Sequence, residues 1–259
     1  FIKGNKIQVP KVGKVKFKGG KIKKSYKIKN ITILCENGKW YASLCIEFKP
    51  KKLKKTKKKI GIDVGSIRLY TRSDGKKRKA FRKLNNVKVL VAKIKEVQQQ
   101  MSWKQECWKS KTGRKKLKKG EIISNSWLRL KVILGKLHEK LKRIRTDHLH
   151  KITTNLVKKF DLIIVEDLKL KNMTKSSKDT IEKPGKMVPQ KSGLNRNLLS
   201  NGLGMFFSML EYKCDWYGKI FKKVDPKFTS QICSSCGKKD KESRKSQSRF
   251  KCTSCGFTL

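Results

Sequence analysis

The stretch Ile60-Gly61-Ile62-Asp63-Val64-Gly65-Ser66 constrains how the chain can fold more than any other. Its β-branched residues and glycines are typical of a short buried strand with close backbone neighbours. One carboxylate, Asp63, lies in its middle, and a buried charge is costly unless a metal or a cation accompanies it. Taken alone, the heptad leaves two interpretations open: an aspartate hydrogen-bonded to a turn at the strand end, or a metal ligand.

A second apolar run, residues 160–168, is typical of a strand buried on both faces and contains two carboxylates, Glu166 and Asp167, near its end. Side chains alternate along a strand, so we expect Asp167 to point away from Glu166 and to have a structural role. Residues 68–75 predict a strand that forms a hairpin with the first and ends in an Asp-Gly turn. Residues 218–224 predict another short strand.

Apolar residues at three- and four-residue spacing predict two long helices, over residues 84–101 and 126–159. The basic segment 109–120 connects them, which favours an antiparallel helical hairpin. The polar residues 169–193 predict a mobile loop, and the apolar residues of 198–210 predict a further helix.

Residues 1–48 alternate between apolar and basic residues, and Asn37-Gly38 is a typical hairpin turn. We therefore expect a small, barrel-like antiparallel β unit with lysines on its solvent face. A purely structural role and a role in tracking a nucleic-acid backbone remain equally open. The lysine-rich residues 49–59 predict a linker.

The formal net charge is +50, far beyond what solubility requires. A lysine-biased proteome explains the excess of Lys over Arg but not the low total of 19 Asp and Glu. The charge extends along the whole chain, which favours a nucleic-acid partner with salt-dependent binding over a membrane surface. No apolar run approaches the roughly 20 residues of a membrane span. Nothing in the sequence indicates a small-molecule substrate.

The second long helix carries a row of basic residues. An ordinary solvated face would have acidic partners four positions away, and this helix has few of them. This absence favours contact with phosphates. The candidate nucleic-acid-binding residues are Arg129, Lys136, Lys140, Arg143 and Arg145.

Four of the eight cysteines are paired: Cys233-x2-Cys236, then fifteen residues, then Cys252-x2-Cys255. Each pair is followed by a glycine, which permits the tight turn of a zinc knuckle. The spacing is that of a zinc ribbon with four thiolates on one structural zinc ion. Disulfides are the alternative, but four further scattered cysteines favour a reducing compartment.

The order of these motifs resembles the transposon-encoded OrfB or TnpB proteins, RNA-guided nucleases with a RuvC domain related to the type V CRISPR effectors. The resemblance covers nearly the whole chain. Three matches carry it: residues 60–65 with the first RuvC motif, residues 163–168 with the second, and residues 210–237 with the family's approach to its zinc ribbon.

The resemblance implies an α/β, RNase H-like fold with a mixed sheet, in which the first and fourth strands are neighbours and Asp63 and Glu166 converge. It implies catalysis by Mg²⁺ or Mn²⁺ held by these two carboxylates. It also implies three parts: a basic β-rich unit with its linker over 1–59, a nuclease domain over 60–228 with a helical insertion at about 82–159, and a zinc ribbon over 229–259.

The family's third catalytic residue is an Asp shortly after the last zinc knuckle, and the present sequence stops at Leu259. Because the chain also begins with Phe1, we expect a fragment that cleaves weakly or not at all on its own. The implied function is a transposon-associated, guide-RNA-directed DNA endonuclease of the prokaryotic cytoplasm, working at the nucleoid. The alternative is a non-catalytic nucleic-acid-binding zinc-ribbon protein from a truncated copy. A ribosomal or transcription-type zinc-ribbon protein would explain the charge and the cysteines but not Asp63 and Glu166.

Overall fold

A computed structural model of the chain describes residues 2–19, 27–47, 49–114, 123–178, 185–246 and 249–258. The chain forms two compact units, Phe1–Pro50 and Lys51–Leu259. Part of the predicted first β unit (residues 20–26) and part of the segment between the long helices (residues 115–122) lie outside the described residues.

The first unit contains two antiparallel β structures. Strands β1 (Ile2–Lys3), β2 (Lys6–Val9) and β3 (Gly13–Lys16) form one sheet, and β4 (Lys27–Glu36) and β5 (Lys39–Glu47) form a hairpin. Asn37 and Gly38 both have positive φ, which is the conformation that a tight hairpin turn requires. The predicted antiparallel unit and its turn are therefore confirmed. Within the described residues the strands form a sheet and a separate hairpin rather than one closed barrel.

The second unit is built on a five-stranded mixed sheet. Its strands are β6 (Lys59–Val64), β7 (Arg68–Arg72), β8 (Lys77–Lys79), β9 (Leu162–Glu166) and β10 (Ile220–Val224), in the order β10-β9-β6-β7-β8. β6, β7 and β8 are antiparallel neighbours, whereas β9 is parallel to both β6 and β10. The mixed sheet confirms the predicted α/β class and the adjacency of the first and fourth strands.

A 3-10 helix, Phe81–Lys83, precedes the two long helices α1 (Asn85–Thr112) and α2 (Asn125–Lys159). The hydroxyl of Ser124 caps α2 by accepting a hydrogen bond from the N–H of Trp127, 3.1 Å away. Phe81, just before α1, contacts His148 in the second half of α2. The helices pack against each other, so the predicted helical hairpin is present. None of the helices in the described part of the chain has the length and apolar character needed to cross a bilayer.

Three further helices, α3 (Leu170–Met173), α4 (Val188–Asn201) and α5 (Leu203–Tyr217), correct the sequence prediction for this region. α4 begins inside the segment predicted as a loop, with Pro189 in its first turn, where proline is tolerated. The predicted single helix over 198–210 is divided at Gly202, whose φ is 67°. A Cβ there would lie 3.1 Å from the side chain of Arg145 and 3.2 Å from that of Leu149.

One face of the sheet packs against α2 and α5. Ile60, Ile62 and Val64 of β6 are buried there, and the intervening Gly61 and Asp63 lie on the opposite face. The buried cluster also contains Ile163 and Val165 of β9. Burying a large apolar side chain contributes about 1.5–3 kcal/mol, so this cluster fixes which face of the sheet each strand residue occupies. β8, with three exposed basic residues, carries no apolar signal and was not predicted.

The lysine-rich residues after Pro50 belong to the second unit. The carboxylate of Asp161 accepts hydrogen bonds from the backbone N–H groups of Thr56 and Lys57, 2.7 and 2.6 Å away. It also pairs with Lys219, whose side chain is 1% exposed. The segment predicted as a linker is therefore fastened to the sheet near its end.

Candidate metal centres and nucleic-acid interface

Asp63 and Glu166 occupy corresponding positions on neighbouring parallel strands. The register pairs Ile62 of β6 with Val165 of β9, and the two carboxylates are the next residue along each strand. Ile62 and Val165 are buried beneath the sheet, so alternation directs Asp63 and Glu166 to its open face. Both carboxylates line one open cleft of about 300 Å³. The strand pairing thus brings together residues that are far apart in the sequence.

Neither carboxylate of this pair forms an ion pair with a residue that the structure describes. Asp63 is solvent-accessible, but the cleft walls partly desolvate it and raise the pKa of its carboxyl above the ordinary value. The carboxylate of Glu166 accepts a hydrogen bond from the hydroxyl of Thr229 at 3.1 Å. Two carboxylates with free oxygens in one cleft are a donor set that suits hard divalent cations.

Asp167 has a different environment. Its backbone N–H donates to the carbonyl of Val224 on β10, 2.8 Å away, and its side chain lies 3.7 Å from the ammonium of Lys169. It does not line the cleft of Asp63 and Glu166.

Asn201 supports the cleft, although it does not belong to any recognisable sequence motif. It is 0% exposed at the end of α4. Its Oδ1 accepts from the N–H of Phe81 and its Nδ2 donates to the carbonyl of Gly65, each over 3.0 Å. Gly65 lies two residues after Asp63, so this amide fastens the end of the Asp63 strand to the start of the helical hairpin. The only signal in the sequence was a polar residue within an apolar helix, which is too common to be specific.

The four clustered cysteines also converge. All four sulfur atoms lie within 4.8 Å of one another. Sγ of Cys233 is 3.6 Å from Sγ of Cys255, and Sγ of Cys236 is 3.7 Å from Sγ of Cys252. Four thiolates at about 2.3 Å from one tetrahedral zinc ion would be separated by about 3.8 Å. A disulfide would require about 2.05 Å. The cluster therefore has the geometry of a metal site, and its cysteines are free thiols.

Two similar turns build the cluster. Gly237 and Gly256 follow the two Cys pairs with φ of 71° each, and their N–H groups donate to the carbonyls of Cys233 and Cys252. The N–H groups of Cys255 and Ser254 donate to Sγ of Cys252, each over 3.4 Å. These two bonds hold the pKa of the Cys252 thiol well below its usual range, at about 6. This turn therefore favours the thiolate form of Cys252, which is the form that a metal binds.

The model of the family OrfB_IS605, described as "Probable transposase", matches residues 43–177 and so includes Asp63 and Glu166. The chain belongs to this family. A second model, "Cas12f1-like, TNB domain", matches residues 204–259, the segment that carries the four cysteines.

Among the relatives of this chain, "Putative RNA-guided DNA endonuclease InsQ" of Escherichia coli K12 is 35% identical over 98% of the chain and 58% of its own length. "CRISPR-associated endodeoxyribonuclease Cas12f1" of Sulfoacidibacillus thermotolerans is 46% identical over 46 residues, or 18% of the chain and 11% of that protein. The chain thus spans little more than half of the InsQ protein. A solved Cas12f1–sgRNA–target DNA complex has a TM-score of 0.40 at 16% identity, over 88% of this chain and 52% of that one.

The basic residues predicted to form one row on α2 differ in exposure. Arg129, Lys136, Lys140 and Arg143 are exposed, and Arg143 pairs with Glu139 one turn earlier. Arg145 turns inward: its guanidinium lies 5.2 Å from the centre of the Phe81 ring. Burial, helped by the nearby Arg82 charge, lowers the pKa of Arg145 below its usual value. The inward position of Arg145 follows from contacts with Phe81 and Gly202 that the sequence does not reveal.

Proposed function

We propose that this chain is the nuclease part of a transposon-associated, RNA-guided DNA endonuclease. The observation that carries the proposal is the placement of Asp63 and Glu166 side by side on the open face of the sheet, in one cleft and without a cationic partner among the described residues. A purely structural carboxylate in this protein is arranged differently: Asp161, on the same domain, is satisfied by Lys219 and two backbone N–H groups.

Asp63 and Glu166 would hold Mg²⁺ or Mn²⁺ in the cleft. Bound divalent ions supply an activated water and stabilise the leaving oxygen of a phosphodiester. The protein's own contribution is to fix the carboxylates on two rigid, paired strands and to leave the adjacent face open to a nucleic-acid strand. Thr229 orients Glu166 through its hydroxyl, and Asn201 holds the backbone after Asp63.

Zinc is the ion we assign to Cys233, Cys236, Cys252 and Cys255. Because all four ligands come from the protein, such a site has no open position for a substrate and its role is structural.

A guide RNA and target DNA are the proposed partners. Support comes from the relatives, which are named as an RNA-guided and a CRISPR-associated endonuclease, and from the net charge of +50. The exposed residues Arg129, Lys136, Lys140 and Arg143 on α2 would contact phosphates, whereas Arg145 would support the helix packing. Because target DNA is chromosomal in this proposal, the protein would act at the nucleoid of a prokaryotic cell.

The test is DNA cleavage by the full-length gene product loaded with its guide RNA, in Mg²⁺ or Mn²⁺. Asp63→Ala and Glu166→Ala should each lower the cleavage rate at least about a thousandfold, because several kcal/mol of metal-dependent stabilisation is lost at about 1.36 kcal/mol per factor of ten. Nucleic-acid binding should persist in both variants. Asp167→Ala is the matched control, a neighbouring carboxylate outside the cleft, and should keep near-normal activity.

Undiminished cleavage by the Asp63→Ala protein would overturn the assignment of the cleft. Nucleic-acid binding with no cleavage, even by the unaltered full-length protein, would instead support the alternative of a non-catalytic zinc-ribbon binding protein.

A further inference from the structure

A second cavity of the sheet domain is strongly basic. It has a volume of about 340 Å³, and its walls come from β7, the following turn and β8 on one side and from α2 on the other. Six of its ten lining residues are cationic, whereas Lys and Arg make up 69 of the 259 residues of the chain. No lining residue is acidic. The six are Arg72, Lys76, Lys77, Arg78, Lys151 and Lys159.

Most of these charges have no carboxylate partner. Arg72 pairs with Asp74, and Lys151 lies 2.7 Å from Asp147. The remaining four form no ion pair within the described ranges of the chain. Like charges held together in one concavity repel each other, and an anionic ligand would relieve that repulsion.

Part of this cavity is rigid. The guanidinium of Arg72 is fixed on one side by hydrogen bonds to Asp74 and on the other by the ring of Phe160, whose centre is 4.9 Å away. The Tyr70 ring is buried and stacks on Phe206 with 5.8 Å between centres. Asn155 adds a neutral amide to the lining. Fixed donors lose less conformational entropy on binding than free surface lysines do.

The cavity lies on the opposite face of the sheet from the Asp63 cleft. Tyr70 and Arg72 pair with Val64 and Ile62 of β6, and residues paired across strands point to the same face. Ile62, Val64 and Tyr70 belong to the core beneath α2. Asp63 pairs with Thr71 on the other face. Arg72, near the sheet edge, borders both concavities.

We propose that this basic cavity, lined by β7, β8 and α2, binds the phosphodiester backbone of a nucleic-acid segment other than the one being cut. A single phosphate ion would be outnumbered by the unpaired cations, whereas a chain of phosphates supplies one charge for each contact. Because the sheet separates the cavity from Asp63 and Glu166, its ligand cannot also lie across the carboxylates at the same point. The inference rests on the proposed nucleic-acid function and adds a second, non-catalytic binding face.

The experiment compares two triple variants of the full chain with the same loss of charge. One is Lys77→Ala/Arg78→Ala/Lys159→Ala in the cavity, and the other is Lys88→Ala/Lys93→Ala/Lys95→Ala on the exposed face of α1. Fluorescence anisotropy measures the binding of labelled single-stranded RNA, single-stranded DNA and duplex DNA between about 50 and 200 mM salt, the range over which phosphate contacts change affinity most. Thermal melting checks that both variants are folded.

The cavity variant should reduce the slope of log K against log salt by about 2 on a single strand, from three lost contacts at about 0.7 each. The α1 variant should change it by less than about half as much. If the cavity variant loses affinity only for the RNA probe, the cavity binds the guide RNA. If it loses affinity only for a DNA probe, the cavity binds the target DNA. Asp147→Asn, which frees Lys151, should tighten binding, an effect that misfolding cannot produce.

Equal losses in the two triple variants would overturn the cavity as a site, since binding would then follow net charge alone. If the unaltered chain bound none of the three probes, the proposed function would fail as well. In the guide-loaded full-length protein, the cavity variant should raise the concentration of nucleic acid needed for half-maximal cutting and leave the saturated rate unchanged. Asp63→Ala should instead lower the saturated cutting rate and leave the half-maximal concentration unchanged.

Discussion

The cysteine cluster and the carboxylate cleft are two candidate metal centres built in opposite ways. The four cysteines lie between Cys233 and Cys255, in two short turns with similar backbone geometry. Asp63 and Glu166 are separated by 103 positions and meet only because β6 pairs with β9. The first site is a property of local turns, and the second is a property of the sheet.

This difference predicts different responses to metal loss. The strands of the cleft are held by a buried apolar cluster that includes Ile62 and Val165, so the cleft exists with or without ions. Around the cysteines, the strands β11 (Arg244–Ser246) and β12 (Arg249–Phe250) are short. Among the residues after 229 that the structure describes, the buried ones are Cys233, Cys252 and Ser243. The folding of the ribbon should therefore depend on its metal, as in small zinc modules.

The largest expected effect is that of Cys252→Ser. Structural zinc binding is worth about 10–16 kcal/mol in small modules, so removing one thiolate should lower zinc affinity by orders of magnitude. Mass spectrometry of the native protein should show about one zinc ion fewer per chain than in the unaltered protein. Hydrogen exchange should show lost protection after residue 229 only. Cys35→Ser, an exposed cysteine of β4, is the control and should keep the zinc. Full zinc content in the Cys252→Ser protein would contradict the local origin of this site.

A smaller effect is expected for Asn201→Ala, which disturbs the cleft from a distance. The substitution leaves the buried N–H of Phe81 and the carbonyl of Gly65 without their partner. At about 1–3 kcal/mol for each of the two unsatisfied groups, the free energy of unfolding measured in urea should fall by about 2–6 kcal/mol. Asn197→Ala, an exposed asparagine of the same helix, should stay within about 0.5 kcal/mol. Equal stability of the two variants would show that Asn201 does not hold the strand of Asp63.

The smallest effect concerns pH and compares Asp161 with Asp167, two carboxylates that lie outside the cleft. The ammonium of Lys219, and then the N–H groups of Lys57 and Thr56, hold the pKa of Asp161 at about 2. Because this value is below that of an unfolded Asp, about 3.9, the ionised group stabilises the fold above about pH 4. That contribution is lost as the pH falls from about 4 towards 2.

Asp161→Asn should therefore lower the melting temperature at neutral pH by several degrees and flatten its fall in that acid range. Asp167→Asn, whose only ion-pair contact among the described residues is at 3.7 Å, is the control and should melt like the unaltered protein. A melting curve of Asp161→Asn that is unchanged at every pH would show that the contacts of Asp161 do not stabilise the sheet.

Much of the fold followed from pattern. The apolar runs around Asp63 and Glu166, the helical spacing of α1 and α2 and the Asn37-Gly38 turn all reflect local periodicity or turn chemistry, which a sequence displays directly. The errors occurred where tertiary contact overrode local preference. β8 consists of three exposed basic residues and is a strand because β7 offers it an edge. α4 begins in a polar segment, and its last turn buries Leu198 and Asn201.

The sequence by itself determined the cysteine cluster, the two carboxylate-bearing strands and the high positive charge. Ligand spacing and alternation are encoded over short distances, and net charge is a simple sum over the residues. Only the tertiary structure decided that Asn201 fastens the Asp63 strand. It also decided that Arg145 packs inward, while Arg129, Lys136 and Lys140 remain exposed. The third such feature is the cavity between the sheet and α2, which is lined by six cationic residues. Each of these depends on which surfaces meet across long stretches of chain, and that choice is made by burial of the shared apolar core.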